Sequence, residues 1–132
     1  MEKHIIYDSD FEELFYYEHQ HKFPRIIWGK YRSDSENIQV VLQIDKNDLL
    51  EKCISMIKKF LKDIGTYQQI SKTKLLTEYS VGETPIQIGR FIGVFYENRN
   101  WGLQYTDFEE QGLKLLAIFD MNGKFIKTDI SF

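Results

Sequence analysis

The sequence predicts an α+β fold: a mostly antiparallel β-sheet with one or two helices packed on one face. Three observations carry this. Strand-like runs occupy both ends of the chain, one strongly amphipathic helix stands in the middle, and turn signals divide the stretch after Pro85 at short intervals. Strands, then helix, then a strand meander is the order of helices gathered on one face of an antiparallel sheet. Alternating βαβ units would interleave them instead.

The elements follow in order. Residues 3–7 suit a short strand. Residues 9–18 allow two readings. Phe11, Leu14, Phe15 and Glu18 follow helical spacing with Ser9 or Asp10 as a cap, whereas Phe15-Tyr16-Tyr17 is good strand material. Residues 25–32 and 38–44 read as a hairpin across the polar turn Ser33-Asp34-Ser35-Glu36-Asn37. In its second arm Ile38, Val40, Leu42 and Ile44 point one way and Gln39 and Gln43 the other.

The clearest helix spans 48–64. Leu49, Leu50, Cys53, Ile54, Ile57, Phe60, Leu61 and Ile64 form one apolar face. Asn47 or Asp48 can cap its first turn with Glu51 in a capping box. Lys58, Lys59 and Lys62 suit its C-terminal dipole end, and Gly65 suits a left-handed C′ position. A weaker helix runs from about Tyr67 to Tyr79. Strands are then expected over roughly 86–96, 100–106, 113–119 and 124–131. Asn98-Arg99-Asn100 is a polar turn, and Asp120-Met121-Asn122-Gly123 joins the last two strands, with Asn122-Gly123 a strong hairpin signal.

The totals agree with one domain over residues 1–132. A chain of this length buries about two-thirds of its unfolded surface. Hydrophobic residues make up 42% and aromatic residues 15%, which leaves rings for a binding face after the core is filled. A formal charge of −3 argues against nucleic acid or an anionic membrane as the main partner. The single cysteine, Cys53, makes no internal disulfide. The start of the chain lacks the apolar stretch of a signal peptide, and no run approaches ~18 apolar residues, so the cytoplasm is the expected address.

The motifs for chemistry are weak. His19-Gln20-His21 beside Glu18 is the one metal-like spacing, and it lacks a second ligand cluster. Cys53 sits on the buried face of the strongest helix and reads as a small core residue. Gly82, Gly89 and Gly93 form no phosphate loop. Gly89 and Gly93 instead mark bends or a bulge in a strand. Asp120 begins like a calcium loop, but Ser131 stands where the last acidic ligand is required. No catalytic residue, metal or cofactor is expected.

Charge is unevenly spread. Residues 2–18 hold Glu2, Asp8, Asp10, Glu12, Glu13 and Glu18 against Lys3 alone, and Asp107, Glu109 and Glu110 form a second acidic group. Lys46, Lys52, Lys58, Lys59, Lys62, Lys72 and Lys74 fill the middle. Either these are ordinary solvated faces or the acidic groups steer a basic partner. Tyr16, Tyr17, Tyr96, Trp101 and Tyr105 are possible anchors, with Trp101 and Tyr105 better suited to the core. The candidate partner-binding residues are therefore Asp10, Glu12, Glu13, Tyr16, Tyr17, Asp107, Glu109 and Glu110.

Three stretches carry a family resemblance. They are Ile27-Trp28-Gly29-Lys30 with the strand 38–45, the helix from Leu49 to Ile64, and the end from Leu103-Gln104-Tyr105-Thr106-Asp107 through Leu113–Phe125. Together they resemble small bacterial α+β proteins of toxin-immunity genes, the contact-dependent growth-inhibition immunity proteins among them. The resemblance implies a cytoplasmic inhibitor that binds a cognate toxin domain, such as a nuclease, and occludes its active site. It implies no direct contact with nucleic acid or membrane, and it carries over no catalytic residue. The alternatives are a non-catalytic interaction module of unrelated role, or an enzyme built around His19 and His21.

Overall fold

Alternating apolar and polar positions build most of the molecule. The computed structural model describes residues 2–17, 25–33, 37–45, 47–79, 87–107 and 112–131. Among these, the strands are β1 (Lys3–Ile5), β2 (Phe11–Tyr17), β3 (Arg25–Tyr31), β4 (Ile38–Ile44), β5 (Ile88–Glu97), β6 (Asn100–Asp107), β7 (Lys114–Phe119) and β8 (Phe125–Ser131). Helices α1 (Leu50–Lys62) and α2 (Ile64–Tyr79) lie between β4 and β5. All the strands join one sheet in chain order. Every neighbouring pair is antiparallel except β4 and β5, which run parallel. A parallel pair needs a long crossover, and the two helices supply it.

Period-two alternation gives the sheet two distinct faces. One cross-strand row runs through Tyr16, Ile27, Leu42, Tyr96, Trp101 and Phe119. The row beside it holds Leu14, Gly29, Val40, Val94, Leu103 and Ala117. Both helices bury their apolar sides here: Cys53, Ile57, Phe60 and Leu61 from α1, and Leu75 from α2, join these strands in one core cluster. Phe60 stacks on Trp101 at 4.4 Å between centroids and on Tyr67 at 4.2 Å, so it links α1, α2 and the sheet. Trp101 and Tyr105 are core residues, 1% and 0% exposed.

The two readings of residues 9–18 resolve to strand β2. Its helix-like spacing has a physical cause. The register shifts between Phe11 and Glu13, so a bulge inserts one residue and brings Phe11 and Leu14 to the same face. The glycines of β5 behave as expected, with register shifts between Ile88 and Phe91 and between Phe91 and Gly93. At Gly93 a Cβ would lie 2.5 Å from the Gln39 carbonyl oxygen, so only glycine permits the close approach of β4 and β5 there.

The helix ends differ from expectation. The N-cap of α1 is Leu49, and no side chain caps it. The Asp48 carboxylate accepts the Asp45 N–H at 3.0 Å instead, closing the preceding turn rather than a capping box. Helix α1 stops at Asp63, and the Thr66 and Tyr67 N–H groups donate back to its carbonyl. Gly65 thus lies inside α2 rather than in a left-handed C′ position, and α2 starts three residues earlier than Tyr67.

Of the three expected strand-to-strand turns, that at 33–37 joins an antiparallel pair with residues 34–36 outside the described ones, and the other two form. Asn98 and Arg99 adopt φ of 51° and 64°, the paired left-handed geometry of a tight two-residue turn. In the β7–β8 turn only Gly123 is left-handed, at φ 82°. The Asp120 carboxylate pins that turn by accepting the N–H groups of Asn122 and Lys124, each at 2.9 Å.

Candidate functional site

The second face of the sheet has no helix on it among the described residues. Its central row starts at Ile5 and passes through Phe15, Trp28, Val41 and Phe95. It continues past Gly102 to Ile118 and ends at Lys127. The next row is polar at most positions: Glu13, Lys30, Gln39, Gly93, Gln104, Leu116 and Asp129. An apolar stripe flanked by charges and amides therefore crosses the whole sheet.

The stripe is aromatic at the β1–β3 end. Phe15 stacks on Trp28 at 5.8 Å between centroids, and Tyr17 meets Trp28 edge-on, also at 5.8 Å. The Lys3 ammonium sits 4.1 Å from the Phe15 ring centroid and 3.6 Å from the Glu13 carboxylate. A shallow hollow of about 170 Å³ opens beside these rings, between Glu13, Phe15, Trp28, Lys30 and Gln39. The rings are only partly buried. Large, stiff rings with charges at their margin have the composition of a protein-binding hot spot.

Strand alternation divides the expected partner-binding residues. Glu13 and Tyr17 lie on this open face. Tyr16 turns to the helix side, where it stacks on His4 at 5.0 Å and lies under the Arg25 guanidinium, also at 5.0 Å. The Asn37 amide donates to the Glu12 carboxylate. Asp10 belongs to a clip: Lys58 of α1 donates to Asp10 at 2.8 Å and to Asp8 at 3.0 Å. The Asp8 carboxyl is held below its usual range, first by the Asp10 N–H and then by Lys58. The Lys58 ammonium is correspondingly pushed up.

The expected acidic and basic regions therefore meet at this clip. Asp107 closes β6, four strands from β2, and donates its N–H to the Leu113 carbonyl at 3.2 Å. Glu109 and Glu110 lie outside the described residues, as do Glu18, His19 and His21.

Sequence reasoning missed Phe15, Trp28, Val41 and Phe95 as surface residues. A signal was present. In 38–44 Val41 shares its side with Gln39 and Gln43, so that side was never wholly polar.

A second concavity, of about 530 Å³, lies where the ends of β4 and β5 meet the start of α1. Ile44, Cys53, Met56 and Tyr96 line it, and Leu49 and Met121 form exposed apolar lips. Burial pushes the Cys53 thiol up, and Asp48 pushes it further against an opposing effect of Arg25. Burial also raises the Tyr96 hydroxyl. Both stay protonated at neutral pH, which disfavours nucleophilic attack by either. Among the described residues no group of three His, Cys, Asp or Glu is arranged to hold a metal. No described helix is long and apolar enough to cross a membrane. No protein-family model, curated protein or solved structure matches this chain.

Proposed function

We propose that the chain acts by binding another protein across its open sheet face, as a cytoplasmic immunity protein that neutralises a cognate toxin domain, with a nuclease the leading class. The observation that carries the binding reading is the Phe15–Tyr17–Trp28 cluster, which stands partly exposed at the centre of a charged margin. The toxin as partner comes from the resemblance of three stretches, which cover most of residues 26–132, to immunity proteins. A deeply held, protonated Cys53 in the other concavity supports a binding role over catalysis.

The acidic contribution is narrower than a patch built from all of residues 2–18. Asp8 and Asp10 are engaged by Lys58 and Glu12 by the Asn37 amide, and Glu13, 3.6 Å from the Lys3 ammonium, is the acidic residue of β2 beside the aromatic cluster. An interaction module of unrelated role would use the same surface and differ only in its partner.

The test is co-expression with the toxin domain encoded beside this gene. Neutralisation is expected, with loss of at least tenfold in affinity for Trp28→Ala and Tyr17→Ala, the cost of an anchor ring at an interface. Circular dichroism and the thermal midpoint confirm that each variant folds. Undiminished toxicity with the wild-type chain would end the toxin reading. Full affinity in both aromatic variants would move the interface off the open face.

A further inference from the structure

The two edges of the sheet are unequal. β1 offers three residues, Lys3–Ile5, and β8 offers seven, Phe125–Ser131. Among the described residues β8 pairs with β7 on one side only, so its other side presents backbone donors and acceptors outward. The Ile130 N–H shows which positions these are. It donates to the carboxylate of its own neighbour, Asp129, at 2.9 Å. By antiparallel alternation over the regular stretch from Lys127 to Ser131 the outward-bonding residues are then Thr128 and Ile130, while the register shift between Phe125 and Lys127 leaves Ile126 as a bulged residue at the start of that stretch.

We propose that this edge pairs with the same edge of a second copy, antiparallel, about a twofold axis at Thr128. The residues around Thr128 are self-complementary in that arrangement alone. Lys127 faces the second copy's Asp129, and Asp129 faces its Lys127. Ile126, the bulged residue and 47% exposed in the single chain, comes to lie near the second copy's Ile130. Thr128 faces itself.

The Lys127 and Asp129 positions are the non-hydrogen-bonded pairs of such a ladder, where opposed side chains come closest. A parallel pairing in register would set lysine against lysine and aspartate against aspartate. β8 carries no proline, its two charges are of opposite sign and become partners in this arrangement, and its bulge between Phe125 and Lys127 lies at the end of the edge, outside the Lys127–Asp129 centre.

Closure supports the same choice. An edge meeting its own copy gives a closed dimer, whereas β8 meeting β1 of the next molecule would run on as an open filament. The dimer would be a continuous sheet that ends on both sides in the short β1. In forming it, the Ile130 N–H exchanges the Asp129 carboxylate for a backbone carbonyl of the second copy.

Sedimentation of the full chain across the micromolar to submillimolar range tests the proposal. A monomer–dimer equilibrium is expected. Lys127→Asp and Asp129→Lys each set like charges opposite one another at both symmetry-related pairs, and each weakens the dimer by about tenfold. The double variant K127D/D129K re-forms both pairs and restores it. Thr128→Pro removes a central hydrogen-bond donor and abolishes the dimer, with circular dichroism as the check on folding; the charge exchange decides the matter if that variant does not fold.

Trp28→Ala leaves the dimer constant unchanged, so this contact and the partner-binding face fail independently. A monomer at every concentration, single reversals without effect, or a double variant that stays weak would each overturn the proposal. So would loss of the dimer in Trp28→Ala, which would place the self-contact on the open face.

Discussion

The two faces of one sheet use the same residue types for different ends. On the covered face Trp101 lies beneath Phe60 of α1, its ring sealed between strand and helix. On the open face Trp28 stacks on Phe15 and meets Tyr17 edge-on, both from the neighbouring strand β2, with no described helix above it. Both tryptophans sit within a cross-strand row, with a paired neighbour on either side. What separates them is the layer above the sheet. The crossover that β4 and β5 require runs over one side only, and so it decides which row becomes core and which becomes surface.

The sharpest test of this contrast exchanges each ring for alanine. Trp101→Ala leaves a cavity in a sealed core and is expected to cost about 3–5 kcal/mol of unfolding free energy. Trp28→Ala removes cross-strand contacts that water can replace, at about 1 kcal/mol. Urea denaturation of the two variants reads the difference. Equal losses would mean that the open face is covered in solution and is no binding surface.

A smaller effect is expected at the seam that creates the two faces. Gly93 lets β5 approach β4, and a methyl group there meets backbone rather than a side chain able to move aside. Gly93→Ala should therefore cost about 1–3 kcal/mol. Because the strain falls on the parallel pair, hydrogen exchange at β4 and β5 should rise more than at β7 and β8. Uniform exchange would place the weak point elsewhere.

The seam also shows how much of the fold the residues disclosed and where they misled. β3, β4, α1, β6 and β7 follow directly from periodicity, since each keeps one period along its length. The ambiguous stretch was β2, where a bulge turns the period of two into a step of three between Phe11 and Leu14. Ile88, Phe91 and Val94 in β5 make the same step for the same reason. A local pattern cannot distinguish a bulged strand from a helical turn, because both put residues i and i+3 on one side.

The site was less legible than the fold. Glu13 and Tyr17 reach the open face and Tyr16 does not, which depends on the bulge. The Lys58 clip joins residues fifty positions apart, and no local spacing announces it. The open stripe exists only once strand order is known, because its members come from all eight described strands.

The clip fastens the covering layer to the β1–β2 turn, and it makes stability depend on pH. The Asp8 pKa is lowered in the fold, so its contribution is present above the unfolded carboxylate pKa and is lost as pH falls through the folded value. The Lys58 pKa is raised, so its contribution is present below the ordinary lysine value and disappears as pH rises through the folded one. Asp8→Asn keeps an acceptor for the Asp10 N–H but removes the Asp8–Lys58 charge pair, while Lys58 keeps Asp10. Its thermal midpoint should lie below wild type at neutral pH, by less than in either variant above, and converge with it in strong acid. An undiminished gap in acid would show that the carboxylate acts through its shape and not its charge.

The smallest change concerns the outer surface of the cover, and it has the opposite sign. Gly65 is exposed in the first turn of α2, and a Cβ there meets nothing within 4 Å. Its φ is not among the left-handed ones. Glycine in such a position spends backbone entropy without using its freedom. Gly65→Ala should stabilise the chain by about 0.4–1 kcal/mol, mostly by restricting the unfolded state. The periodicity of α1 suggested the reverse, a left-handed residue closing that helix, for which alanine would be destabilising. Thermal unfolding of this one variant distinguishes the two. A rise in midpoint supports α2 starting at Ile64, with both helices braced over the core. A fall would mean that the junction unwinds at Gly65 in solution and that the cover is looser than the face beneath it requires.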